Sequence, residues 1–282
     1  MNDIKIEFFT ISFFTNSAPY DLPALRNRID ESLSWLKSEF EIEPKGRMLE
    51  YLIHINNFEC YRGNFGRETF YCVHSIAEAI QIADIHSILK VHHSDQFRKT
   101  LKQAIYGISF RDKDPGKDGS RNFAFELSVA ANYALSGLDV DLSTTTDVVV
   151  VSPSILVECK RVSSFNKIRA RIDEAIDQIK KPSGVNPRVG VIHIDVTQIV
   201  NDGHVVFVIN ETGFPFSITP PSSDTEVIEE IYRGVRGMLG QHMVKLGEIA
   251  KEKLCDGVRC IIFSVDFVGF HAWRAQKPSA TP

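Results

Sequence analysis

Asp147 opens the run Asp147-Val-Val-Val-Val-Ser-Pro-Ser-Ile-Leu-Val-Glu158-Cys-Lys160, in which an acid precedes one apolar segment and a Glu-x-Lys closes the next. Val148 to Val151 are β-branched, Ile155 to Val157 are apolar, and Ser152-Pro153-Ser154 between them has turn chemistry. The segment is therefore predicted as strand, short turn, strand. A turn centred near Ser152 and Pro153 sets Asp147 opposite Glu158, and directly opposed Cβ atoms lie roughly 4.5–5.5 Å apart. Lys160 falls on the same face as Glu158, because side chains repeat every second residue along a strand. Two carboxylates held that close repel unless a cation sits between them or one takes a proton. A hard divalent ion such as Mg2+, which takes oxygen ligands and keeps several waters, suits the pair. The neighbouring ammonium could hold a water or balance charge building on a phosphate. The alternative is a strand end at the surface, where Lys160 simply pairs with Glu158 or Asp147.

Other copies of the tripeptide pattern lack this setting. Glu43-Pro44-Lys45 contains a proline and sits in a polar connection, and Asp3-Ile4-Lys5 has no upstream acid to pair with. Asp141 competes with Asp147 as the partner of Glu158, but that pairing would centre the hairpin within Val148 to Val151, which has no turn residues.

Around the hairpin, Arg121 to Ser136 has helical apolar spacing, with Ser120 as N-cap and Gly137 as stop. Glu126 sits beside Leu127 in that helix, close enough to the apolar side to point inward, although a solvated helix glutamate is the plain alternative. Gly137 to Leu142 alternates apolar and acidic residues and is read as a strand leading to the hairpin. Ser164 to Lys181 is a second helix whose buried stripe is Ile168, Ile172, Ala175, Ile176 and Ile179. Lys167, Arg171 and Gln178 lie on a different strip, and Lys160 and Arg161 stand just before the helix. A positive surface beside a metal site is what a phosphodiester requires, whereas the bland reading is a solvated helix face. Arg188 to Val196 follows as another strand.

This order of helix, three strands, helix and strand over residues 120–196 resembles the catalytic core of the PD-(D/E)XK, or restriction-endonuclease-like, nuclease superfamily. The motif residues are Glu126, Asp147, Glu158-Cys159-Lys160 and Gln178, with Thr146 where the family's name has proline. The resemblance implies an α/β fold: a restriction-endonuclease-like mixed β-sheet flanked by helices, with a mostly helical N-terminal region. It further implies that Asp147 and Glu158 ligate Mg2+, with Mn2+ as a substitute, and that Lys160 positions or activates the attacking water. Glu126 would reach the same metal or a second one through water, and Gln178 would orient the site or the nucleic-acid backbone. Arg161, Lys167 and Arg171 would bind nucleic acid, DNA ahead of RNA. The implied activity is that of a metal-dependent nuclease, endo- or exonucleolytic, in restriction, defence, repair or recombination, and a homodimer would serve where both strands of a duplex are cut. Two other readings stand beside it: a non-catalytic nucleic-acid- or protein-binding module on the same fold, and a metal-dependent phosphohydrolase of small nucleotides.

With 43% hydrophobic and 24% charged residues, the composition is that of an ordinary globular protein. A formal charge of -4 confines any nucleic-acid binding to a local patch. No run reaches the roughly 18 apolar residues of a membrane span, so no membrane partner is expected. Asp3 and Glu7 offset the only lysine near the N-terminus, so Ile4 to Phe14 is read as a strand and not a signal peptide. Five cysteines, an odd number, suggest free thiols in a reducing cytoplasm. Cys159 should face the core, and His193 should be a satisfied buried histidine. Cys60, Cys72, His74, His86, His92 and His93 match no compact zinc pattern and are read as core and helix-surface residues.

The expected organisation is a helical region over 1–115, which would recognise substrate, sense a trigger or dimerise, and a nuclease domain over 116–282. The core of that domain is 120–196, with an extension over 197–275. Helices are expected at Leu22 to Phe40, Met48 to Phe58, Glu68 to Leu89 and Asp95 to Ile108, with the boundary in the charged, breaker-rich Arg111 to Ser120. In the extension, His204 to Ile209 and Val258 to Val268 are expected to add strands to the same sheet. Pro215 to Ser223 should connect, Glu226 to Lys253 should form a long helix, and the tail from Gln276 should be loose.

Overall fold

The computed structural model describes residues 22–57, 67–107, 119–144, 146–181, 189–200, 205–210, 240, 242–255, 257–265 and 268–273. Helices α1 (Leu22–Phe40), α2 (Arg47–Asn56), α3 (Arg67–Leu89), α4 (Asp95–Ile105) and α5 (Gly119–Leu135) precede the sheet. Strands β1 (Val140–Asp141), β2 (Val148–Val150) and β3 (Ile155–Arg161) follow, then α6 (Phe165–Lys180), β4 (Val189–Asp195), a short α7 (Thr197–Val200) and β5 (Val205–Asn210). Residues 242–253 are helical, and β6 (Val258–Ser264) and β7 (Val268–Trp273) close the described chain.

Five strands form a mixed sheet in the order β1-β2-β3-β4-β6. The first three pair antiparallel, while β3, β4 and β6 run parallel. Parallel pairing needs a long crossover, which α6 supplies between β3 and β4. The central strands are covered on both faces, and this explains why Ile155-Leu-Val and Val191-Ile-His-Ile are nearly continuous apolar runs.

Alternate residues of the sheet feed two cores. On one face Val148, Val150, Val157, Cys159 and Val191 pack with residues of α1 to α5, among them Trp35, Leu36, Phe40, Phe97 and Leu127. The N-terminal helices and the sheet thus share one hydrophobic core. Ala124, Ala130 and Ala131, all but fully buried, let α5 lie close between the sheet and the helices α3 and α4. On the other face Val149, Leu156, Ile192 and Ile194 meet the Ile168, Ile172, Ala175, Ile176, Ile179 stripe of α6, together with Leu246 and Ile249. Each fully buried Leu, Ile or Phe contributes about 1.5–3 kcal/mol. Gly190 marks a close approach between β4 and α6: a Cβ there would come within 2.6 Å of the Gly257 carbonyl and 2.8 Å of Ile179.

A polar network is sealed among the helices. The Arg47 guanidinium, fully buried, donates to Glu78 (3.0 Å) and to Ser120 Oγ (2.9 Å). Arg121 donates to the other oxygen of Glu78 (2.8 Å) and to the Tyr51 hydroxyl (3.1 Å). The two cations hold the Glu78 carboxyl well below the usual range, against the opposing effect of burial. Ser120 is therefore not the N-cap expected of it: α5 begins at Gly119, and the Ser120 hydroxyl is committed to a buried guanidinium. Gly137 does end the helix, at φ +81°, with the Leu138 amide bonded to the Tyr133 carbonyl.

Two expectations about the sheet need correction. The strand expected over Gly137 to Leu142 shortens to two residues, because Asp141 turns to cap the following loop through the Ser143 amide (2.8 Å) and hydroxyl (2.6 Å). The C-terminal extension does not join one sheet. β6 lies beside β4, but β5 and β7 pair with each other in a separate parallel ribbon against α3. β4 ends at Asp195, opposite Ser264, and the expected single strand is divided between β6 and β7. Residues 4–14, the boundary over 111–118, the 215–223 connection, Cys60, the first part of the expected Glu226 to Lys253 helix and the tail lie outside the described residues. No described helix is long and apolar enough to cross a membrane.

Candidate active site

The hairpin pairs Val148 with Val157, Val149 with Leu156 and Val150 with Ile155. Continued by one residue, the register sets Asp147 opposite Glu158, as the turn chemistry predicts. The turn takes four residues, Val151 to Ser154, one more than expected. A backbone hydrogen bond locks the arrangement: Oδ2 of Asp147 accepts the Cys159 amide at 2.8 Å. Lys160 Nζ lies 3.2 Å from Glu158 Oε2 and 3.9 Å from Asp147 Oδ2. The side chains of Asp147, Glu158 and Lys160 keep 18%, 5% and 12% of their exposure, so the trio is sunken. Cys159 points the other way, into the core shared with α5.

Glu126 joins this group from α5. Burial first, then repulsion from Asp147 and Glu158 against the pull of Lys160, pushes its carboxyl up to about 8. Burial and Asp147 likewise raise Glu158 to about 7, and burial raises Asp147 against the favourable pull of the Cys159 amide and Lys160. Asp147 and Glu158 face each other across the hairpin. Without a cation, the close pair is relieved by sharing a proton. Glu174 on α6 adds to the negative field at Asp147.

The other expected residues are placed as follows. Gln178 lies one turn beyond Glu174 on α6, half-buried; its Oε1 is buried without a hydrogen-bond partner among the described residues, and no bond joins it to the carboxylates. Lys167 and Arg171 are exposed on the same strip, where Arg171 pairs with Glu174. Arg161 is placed elsewhere than at a nucleic-acid surface. Its Nε bonds Asp195 at 2.6 Å and the side chain is 6% exposed, so the guanidinium clamps β3 to β4. Asp195 in turn accepts the Thr197 amide at 2.8 Å. His193 is buried, pushed down to about 4, and hydrogen-bonded to the Tyr133 hydroxyl at 3.1 Å.

Beside the trio opens a cleft of about 120 Å³, into which Asp147 and Glu126 both project. Its other walls include Gln96 and Thr100 of α4, Phe123 of α5, and Thr144 and Thr146 from the segment that carries Asp147. Ser94 sets this wall: its hydroxyl caps α4 by accepting the Phe97 amide (3.1 Å) and donates to the Leu142 carbonyl (3.0 Å). Neither Gln96 nor Thr100 is signalled by sequence, since only packing of α4 against α5 brings them here.

Asp147 and Glu158, with Glu126 and Lys160 beside them, make an oxygen-rich pocket of the ligand type that a hard divalent cation takes. Among the described residues no three His, Cys, Asp or Glu side chains are grouped so that they could hold a metal ion together. Mg2+ does not demand such a group, since it is commonly held by one or two carboxylates and retains waters. The upward-shifted carboxyls fit a site that a cation would complete. No family model matches this chain, and no match is found among curated proteins or among solved structures.

Proposed function

We propose that this chain is a Mg2+-dependent nuclease built on a restriction-endonuclease-like core. The observation that carries the reading is the arrangement around Asp147, in which an acid, a facing glutamate and a lysine share one sunken face of a hairpin. Asp147 and Glu158 would hold the ion, and Mn2+, also an oxygen-seeking ion, would serve in its place. When bound, the metal supplies polarisation of a phosphoryl oxygen and a more acidic water.

The protein's own groups do the rest. The Cys159 amide fixes the rotamer of Asp147, and the low exposure of Glu158 limits its movement. Lys160, 3.2 Å from Glu158, would orient a water or offset charge on the phosphate. Glu126 would bind through water from the α5 side. Lys167 and Arg171 present an exposed basic strip on α6 for the backbone of the nucleic acid, DNA ahead of RNA.

The test is cleavage of duplex DNA, single-stranded DNA and RNA in Mg2+, Mn2+ or EDTA, with Asp147→Ala in parallel. Metal-dependent cutting that the variant loses is the expected result. Undiminished cutting by folded Asp147→Ala overturns the assignment, and metal-independent binding without cutting points to a binding module instead.

A further inference from the structure

The cleft on the α4 side of Asp147 has a chemistry of its own. At about 120 Å³ it is of the order of the roughly 150 Å³ cavity that admits a benzene ring, so it has room for one flat ring. Phe123 and Leu142 supply apolar walls, and Gln96, Thr100, Thr144 and Thr146 supply neutral groups that donate and accept hydrogen bonds. Its described lining carries no cation, while Glu126 and Asp147 stand at one end. That lining offers a phosphate no positive side chain, and Lys160, 3.9 Å from Asp147, lies outside it. The two sides of Asp147 therefore sort a nucleotide: the charged group toward Lys160, the neutral ring toward Gln96 and Thr100. The wall is fixed in place, because Ser94 ties α4 to Leu142.

We propose that this cleft receives one unpaired nucleobase of the strand being cut, so that the substrate class is single-stranded nucleic acid or a frayed or unpaired nucleotide within a duplex. The inference rests on the nuclease reading above. A base inside an intact duplex reaches such a pocket only after unstacking and unpairing, a cost that is smallest for a base already single-stranded. Stacking on an aromatic ring then tolerates any base, and the amide and hydroxyls bias the choice.

The experiment uses the full chain with Ca2+ in place of Mg2+ and fluorescence anisotropy of a labelled single-stranded oligonucleotide, in which one abasic residue is walked along the sequence. The expected profile is flat except at one position, where affinity falls at least about fivefold, the effect of losing one base stack. A blunt duplex of the same sequence should bind more weakly than the single strand. Thr100→Phe, which fills the cleft, should flatten the profile, and the wild-type walk stands by itself if that variant does not fold. A flat wild-type profile in protein that still cuts in Mg2+ overturns the base pocket and leaves the nuclease. A single dip without cutting supports the pocket and overturns the nuclease. Absence of binding to every oligonucleotide removes both.

Discussion

Asp147 is held by the strand it faces: its Oδ2 accepts the Cys159 amide at 2.8 Å, between the Glu158 and Lys160 side chains of the same strand. Position and charge are therefore separable at this residue. Asp147→Asn keeps an oxygen for the amide and removes the repulsion with Glu158, whereas Asp147→Ala loses the hydrogen bond, worth about 1 kcal/mol. In EDTA the Asn variant should be the more stable of the two in urea denaturation, and both should lose metal-dependent cleavage. Cleavage by Asp147→Asn at the wild-type rate would count against a ligand role.

The raised carboxyls set a pH dependence whose sign is fixed. Glu126 at about 8 and Glu158 at about 7 lie above their unfolded value of 4.5, so the folded protein holds extra protons between these limits. Stability in EDTA should fall as pH rises from 5 to 8, because the folded state binds more protons than the unfolded one. A divalent ion replaces those protons, so the rise in Tm on adding Mg2+ should be larger at pH 8 than at pH 6. Thermal melts at both pH values check this, and an equal Mg2+ effect at the two would refute it.

On the basic side, Lys167 and Arg171 are exposed but Arg161 is locked to Asp195. Replacing Lys167 and Arg171 together by alanine should lower the slope of log affinity against log salt by about 0.7–0.9 for each phosphate that is no longer neutralised. Arg161→Ala should instead cost about 3–5 kcal/mol of stability by stranding the buried Asp195 carboxylate. Salt titrations of binding and urea melts separate the two effects. A normal melt for Arg161→Ala would show that the clamp is dispensable.

Glu78→Ala would leave the buried guanidiniums of Arg47 and Arg121 facing each other without their shared carboxylate. The expected loss is again about 3–5 kcal/mol, read as a lower urea midpoint with an unchanged slope. A variant as stable as wild type would mean that the network is not what joins α2, α3 and α5.

Much of the hairpin is legible in the sequence because its determinants are local. Turn residues at Ser152 to Ser154 fix a register, and a period of two then assigns Glu158 and Lys160 to one face and Cys159 to the other. The long helices are legible from apolar spacing for the same reason. What the sequence cannot reveal depends on distant partners. Arg161 reads as one more basic residue until β4 places Asp195 against it, and Ser120 reads as a cap until Arg47 claims its hydroxyl. The second ribbon is hidden because β6 and β7 are nearly continuous in sequence, and nothing local in the letters tells which partner each will take. Gln96 and Thr100 carry no chemical signal of their own; the cleft exists only because α4 packs beside α5.

The core that runs from Trp35, Phe40 and Phe97 to Val148, Val157 and Val191 makes the chain indivisible in practice. A fragment beginning after the helices would keep every motif residue yet present a sheet face stripped of its cover, a large apolar patch of the kind that drives aggregation. Such a fragment should be insoluble. Recombination, natural or engineered, must therefore move the helical layer and the hairpin as one inheritance, and a new specificity has to be grafted onto loops at the rim of the cleft and not by exchange of the N-terminal half.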